Sequence, residues 1–215
     1  MKRKIKFLLQ IFIKFIVKIF SKNRYGLLIL EMVPKNLMHQ SQEVVHKEIK
    51  LLFTKANEIC DWRIKSFSSK EPETLDWIDS METNSVIWDI GANIGLYSCY
   101  AAKKIFNSKV FAFEPSVFNL EILARNIHLN NLSNQITIVP LAISEKLGIE
   151  NLNSSFDEWG SALSTFGHDY THDGNKIDIN FKTSQLGVSI EDAVNILKIP
   201  QPDYIKIDVD GIEHL

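Results

Sequence analysis

Cysteine is nearly absent from this 215-residue chain, with only Cys60 and Cys99, and they stand at no metal or redox spacing. Their scarcity argues against a disulfide framework, and reduced thiols in a cytosolic protein are the plain reading. Acidic residues are missing altogether from the first 24 positions, which hold eight of the 24 basic residues (Lys2, Arg3, Lys4, Lys6, Lys14, Lys18, Lys22 and Arg24). The remainder carries 16 basic against 26 acidic groups, a net of −10 with histidine neutral, although the whole chain shows only −2. An acidic body argues against a nucleic-acid partner, because binding a polyanion rests on lysine and arginine at phosphates.

Long apolar runs are also lacking at the N-terminus. Between Phe7 and Phe20 no run exceeds three residues, which disfavours a membrane-spanning helix, and no small-residue cleavage site follows a clean apolar stretch. Lys6, Gln10, Lys14 and Lys18 instead recur every four residues. On a helix they form one polar stripe opposite a wide face of Phe, Ile, Leu and Val, the pattern of a helix lying on an anionic membrane surface. Packing of that face on the domain or on another subunit is the alternative. Residues 1–24 are therefore expected to be a basic amphipathic segment, peripheral on the inner face of a membrane, on an otherwise cytoplasmic protein.

With 45% apolar and 23% charged residues, the chain can bury one substantial core, so one domain plus an appendage is the natural count. Residues 25–70 read as a helical lead-in, with a polar helical region from Gln40 to Ile64 and a linker over 66–70. Pro72 then suits the first turn of a helix through Met81. From there strands are expected at 86–90, 109–114 and 136–140, alternating with helices at 95–106 and 116–130. The strands are apolar on both faces, as a covered parallel sheet requires, so the class is doubly wound α/β. Ser161–Phe166 and Lys176–Phe181 read as an inserted hairpin, Ser189 as the cap of a helix to about Lys198, and Asp203–Val209 as a further strand.

What is present, and most informative, is Val86-Ile87-Trp88-Asp89-Ile90-Gly91-Ala92-Asn93-Ile94-Gly95 followed by Val110-Phe111-Ala112-Phe113-Glu114-Pro115. A strand delivers Asp89 to its end, a glycine loop lets backbone approach a ligand, and a helix begins whose amides favour an anionic group. The next strand presents Glu114, where two ribose hydroxyls can donate. A dinucleotide fingerprint wants a second glycine where Asn93 stands, and its last glycine one residue later than Gly95. The order Asp89-x-Gly91-x-Asn93-x-Gly95 suits instead a ligand with an ammonium, a carboxylate and a ribose, as S-adenosylmethionine has.

Lys206, Asp208 and Asp210 fall at period two in Tyr204–Asp210 and so share one strand face. Burying such charges is costly unless they pair or face a cleft, and in open α/β sheets that cleft lies beyond the carboxyl ends of the strands. Asp208 is the first candidate to orient an acceptor hydroxyl and take its proton as the new bond forms, with Asp210, Glu213 and His214 behind it. Asp208, Asp210 and Glu213 as divalent-metal ligands are the alternative. His168, Asp169, His172 and Asp173 cluster in a stretch rich in turn formers, where a solvated loop is expected rather than a metal site.

Trp88–Ser98, Ala112–Pro115, Pro140-Leu141-Ala142-Ile143-Ser144 and Tyr204–Glu213 together resemble the FkbM-type S-adenosylmethionine-dependent methyltransferases. The resemblance runs from about Glu71 to the last residue and implies a class I, Rossmann-like methyltransferase domain over 71–215. It implies that Asp89, Gly91, Asn93 and Gly95 hold the methionine part of the cofactor, Glu114 the ribose, and Ala142 with Ile143 the adenine edge. It also implies O-methylation of a hydroxyl on a sugar or small metabolite. Members of that family continue past the Asp-Val-Asp-Gly-Ile-Glu motif, so a fragment lacking the last strands is expected. A non-catalytic cofactor-binding or membrane-associated module is the runner-up, and a nucleotide-dependent oxidoreductase a third reading that Asn93 disfavours.

Overall fold

The computed structural model describes residues 2–170 and 175–209, and the chain divides into two compact units, one ending at Gln40 and the other beginning at Ser41. The first unit is two helices, α1 (Lys2–Phe20) and α2 (Arg24–Met38). Asn23 caps α2 by accepting the Gly26 N–H at 2.8 Å. The return is so tight that a Cβ on Gly26 would lie 2.0 Å from the Phe20 carbonyl oxygen. No helix among the described residues is long and apolar enough to cross a membrane.

The second unit opens with a hairpin, β1 (Ser41–His46) and β2 (Ile49–Thr54), where the sequence suggested helix. The physical reason lies in β2, whose Ile49, Leu51 and Phe53 alternate with period two and whose Leu51 and Phe53 are buried. Its turn at Lys47-Glu48 carries no Asn-Gly signal, and Lys47 adopts φ +51° with its ammonium paired to Asp76 and Asp79. Helix α3 (Glu58–Lys70), capped by Asn57, takes up the stretch expected to be a linker. Helix α4 (Pro72–Asp79) follows with proline in its first turn, as expected.

Strand and helix then alternate as β3 (Val86–Ile90), α5 (Leu96–Lys104), β4 (Lys109–Phe113), α6 (Val117–Leu129) and β5 (Ile136–Val139), each boundary within about two residues of the sequence reading. Next come β6 (Ala142–Ile143), β7 (Gly148–Ser154), β8 (Ser164–Phe166), β9 (Phe181–Val188), α7 (Ile190–Asn195) and β10 (Tyr204–Ile207). The main sheet has the order β10-β3-β4-β5 and is parallel throughout, the doubly wound α/β class expected. On one of its faces Trp88, Ile90, Phe113 and Val139 pack with Val188 and Ala193, the Trp88 and Phe113 rings lying 4.9 Å apart.

Two buried asparagines tie the hairpin to α6. The Asn126 side chain accepts the Thr54 N–H and donates to the Ile94 carbonyl, both at 2.7 Å, and Asn130 bonds both backbone groups of Leu52. The expected hairpin of 161–166 with 176–181 is not what forms. Instead β8 pairs with β7, and β7 pairs with the long β9 in a second sheet of order β6-β9-β7-β8. Polar side chains dominate β7 and β9, which hid their pairing from a search for alternating apolar residues, and only an isolated Tyr170–Lys176 bridge remains near the expected partner. Ser189 caps α7 through the Asp192 N–H, while the Asp192 carboxylate accepts from Leu147 rather than returning to Ser189.

Candidate functional site

Parallel pairing sets Lys206 of β10 directly beside Asp89 of β3. The Lys206 ammonium lies 3.1 Å from one Asp89 oxygen, and Ser98 of α5 donates to the other at 2.5 Å. Asp89 is thus buried, with its carboxylate met by Lys206 and Ser98, and it does not line the two cavities beside the glycine loop. Burial alone would lower the Lys206 pKa, but the charges of Asp89 and Asp208 outweigh it and hold the ammonium above the ordinary lysine range. Asp208 lies 3.7 Å from the same ammonium and is half exposed.

The loop itself is shaped by close approach. Gly91 has φ +77°, and a Cβ there would sit 2.0 Å from the Asp208 carbonyl oxygen. Its N–H and that of Ala92 both donate to the Phe113 carbonyl. Gly95, at φ +80°, starts α5 against Leu123, whose side chain a Cβ would meet at 2.3 Å, so this glycine serves helix packing and lies off the cavity wall. Asn93 takes the left-handed conformation at φ +51° and donates its side-chain amide to the Ser161 carbonyl at 2.8 Å.

Glu114, at the end of β4, is 5% exposed and held by two backbone amides, Asn93 N–H on one carboxylate oxygen and Ser116 N–H on the other, each at 2.8 Å. It forms part of the wall of a cavity of about 560 Å³ that also touches Gly91, Asn93, Phe113, Ala142, Ile143 and Asp208. That volume is in the range of small-molecule sites. The sequence-derived residues Gly91, Asn93, Glu114, Ala142, Ile143 and Asp208 are therefore brought together, whereas Asp210, Glu213 and His214 lie outside the described residues, as do His172 and Asp173. His168 borders the same cavity with its ring tilted against Tyr170, and Asp169 pairs with Lys176 at 3.6 Å.

Sequence reasoning missed the roof. Trp159, Gly160 and Ser161 are held by side chains from three directions: Asn57 and Arg63 of the α3 region, Asn93 of the loop, and Asn119 of α6. Arg63, Ser66, Phe67 and Lys70, spaced as one helical face, border a smaller adjoining cavity with Tyr97, Lys206 and Asp208. That spacing was the available signal, obscured by reading 66–70 as a linker. Both cysteines are buried, and burial pushes the Cys60 thiol up to about 11 and Cys99 higher still, well above a reactive thiolate's range.

The Lys206–Asp89 pair generates a stability prediction. Lys206→Met should destabilise the fold by about 3–5 kcal/mol, because it strands a buried carboxylate. A raised lysine pKa means the contribution is fully present below the ordinary lysine value and fades only as pH climbs through the higher folded one. The loss measured by urea denaturation should therefore stay constant across neutral pH. A loss below about 1 kcal/mol, the size of an exposed pair, would contradict the assignment.

A family model of the methyltransferase FkbM domain matches residues 89–215. The hexuronic acid methyltransferase AglP of Haloferax volcanii is 26% identical over 154 residues, which are 71% of this chain and 56% of that protein. The methyltransferase sdnD of Sordaria araneosa is 35% identical over 71 residues, 33% of this chain and 27% of that one. The chain thus spans about half or less of the length of these curated relatives. Among solved structures, M. jannaschii TYW2 in complex with AdoMet overlaps 46% of this chain and 42% of its own at 20% identity, with a TM-score of 0.36. Since the domain match extends over more than half of the sequence and includes the glycine loop, Glu114 and Asp208, this chain belongs to the FkbM methyltransferase family.

Proposed function

We propose that this protein transfers a methyl group from S-adenosylmethionine to a hydroxyl oxygen of a sugar or small metabolite. The observation that carries the reading is the Glu114 carboxylate, buried in the cavity wall between the glycine loop and β6 and oriented by two backbone amides. Carboxylate oxygens accept more than one hydrogen bond, so a ribose can donate to Glu114 while the amides hold it. Ala142 and Ile143 border the same cavity and suit an adenine edge. A pyrophosphate needs room over the loop, and Asn93 fills that position with a side chain bound to Ser161.

When bound, the cofactor supplies an electrophilic methyl group on a sulfonium. The protein's part is then mainly to hold an acceptor oxygen in line with it, a role we assign to Asp208. Half exposed at the carboxyl end of β10, and bordering both cavities, its carboxylate can orient the hydroxyl and take its proton as the bond forms. A glycan acceptor is supported by the hexuronic acid named for the Haloferax relative.

Calorimetric titration tests the cofactor: the chain should bind S-adenosylmethionine in preference to NAD, and Glu114→Ala should weaken it about tenfold or more by removing charge-assisted contacts. Tight NAD binding with no response to S-adenosylmethionine would contradict the reading. For the chemistry, Asp208→Asn should lower the rate of S-adenosylhomocysteine release on a panel of sugars and uronic acids by about 10² or more, while cofactor affinity changes little. Unchanged turnover would reduce Asp208 to a partner of Lys206.

The first unit supports attachment to an anionic membrane surface. Phe7, Leu8, Phe12 and Phe15 of α1 are each more than half exposed, beside a run of residues that contains eight basic groups and no acid. Each basic residue near anionic lipid adds on the order of 1 kcal/mol, screened by salt. Liposome flotation should show binding to anionic vesicles that falls with salt and disappears when residues 1–24 are deleted. Salt-resistant binding, or none, would contradict it.

A further inference from the structure

Arg63 lies in α3, before the segment that the family model covers, yet it borders both the main cavity and the small one beside the glycine loop. Its side chain is half buried, and its Nε–H donates to the Gly160 carbonyl at 2.6 Å. That contact uses one of five donors and orients the remaining fork. The other two cations at this end are matched: Lys70 pairs with Glu71, and Lys206 with Asp89 and Asp208. Among the described residues no carboxylate pairs with Arg63. A partly desolvated guanidinium on a cavity wall, with no carboxylate partner among the described residues, suits an anion from the ligand.

The ligand's own layout identifies the anion, given the cofactor reading above. With the ribose at Glu114 and the adenine at Ala142 and Ile143, the methionine part extends the other way, toward Gly91 and Asn93. Arg63 stands at that end. We propose that Arg63 binds the α-carboxylate of S-adenosylmethionine, so that the methionine end of the cofactor is held by a residue from outside the matched domain. A planar fork suits a carboxylate, and Gly160 pre-orients it.

The test compares S-adenosylmethionine with its decarboxylated analogue, which keeps the adenosine, sulfonium and ammonium, by calorimetry on the full chain. Wild-type protein should bind the analogue about tenfold or more weakly, the worth of a charge-assisted contact. Arg63→Ala should weaken S-adenosylmethionine by a similar factor and leave the analogue unchanged, so the two ligands converge. Arg63→Gln, whose amide can still donate to Gly160, should behave like Arg63→Ala and thereby separate charge from loop support. Equal weakening of both ligands in both variants, or no effect on either, would overturn the assignment. If the wild-type chain bound neither nucleoside, the cofactor reading would fail first and this inference with it.

Discussion

A carboxylate buried beneath a glycine loop is costly unless a cation reaches it, and the Lys206–Asp89 pair is the interaction on which the site's arrangement rests. Lys206 comes from the last described strand and Asp89 from the first of the parallel sheet, so the pair joins segments more than a hundred residues apart in sequence. Once it forms, the end of β10 lies so close to the loop that only glycine fits at position 91, and Asp208 emerges beside the cavity. The charge of Asp89 is spent on the scaffold. Glu114, Asn93, Asp208 and Arg63, by contrast, border the cavity.

The roof follows the same economy of backbone groups. Trp159, Gly160 and Ser161 form no regular structure, and buried main-chain groups without partners would be expensive. Side-chain amides of Asn57, Asn93 and Asn119, with the Arg63 guanidinium, provide those partners. One consequence is that the glycine loop, α3 and α6 are all tied to one short segment above the cavity. A ligand that contacts Asn93 or Arg63 therefore meets side chains already fixed by second contacts, which lowers the cost of ordering them.

Much of this was legible in the sequence because the parallel strands are apolar on both faces and their glycine loop has a chemical spelling. Asp89, Glu114 and Asp208 stand where pattern and motif put them, at the carboxyl ends of β3, β4 and β10. What was not legible rests on long-range pairing. The β1–β2 hairpin is tied to α6 by Asn126 and Asn130, some 70 residues onward, and β7 and β9 find each other through backbone bonds that their polar side chains do not announce. Asp89 was placed on the correct strand, but its buried pairing with Lys206 emerges only from the register of β10 with β3. Arg63 escaped notice for a related reason: its role depends on where α3 packs.

On the proposed function, Glu114 and the glycine loop hold one S-adenosyl ligand, with its ribose on the carboxylate and its methionine toward Arg63. A crystal structure of the chain with S-adenosylhomocysteine tests this most directly. Both ribose hydroxyls are expected within hydrogen-bonding distance of the Glu114 carboxylate, with the Asn93 and Ser116 amide contacts retained and the adenine beside Ala142 and Ile143. A ligand bound with its ribose away from Glu114, or with its adenine over the glycine loop, would contradict it.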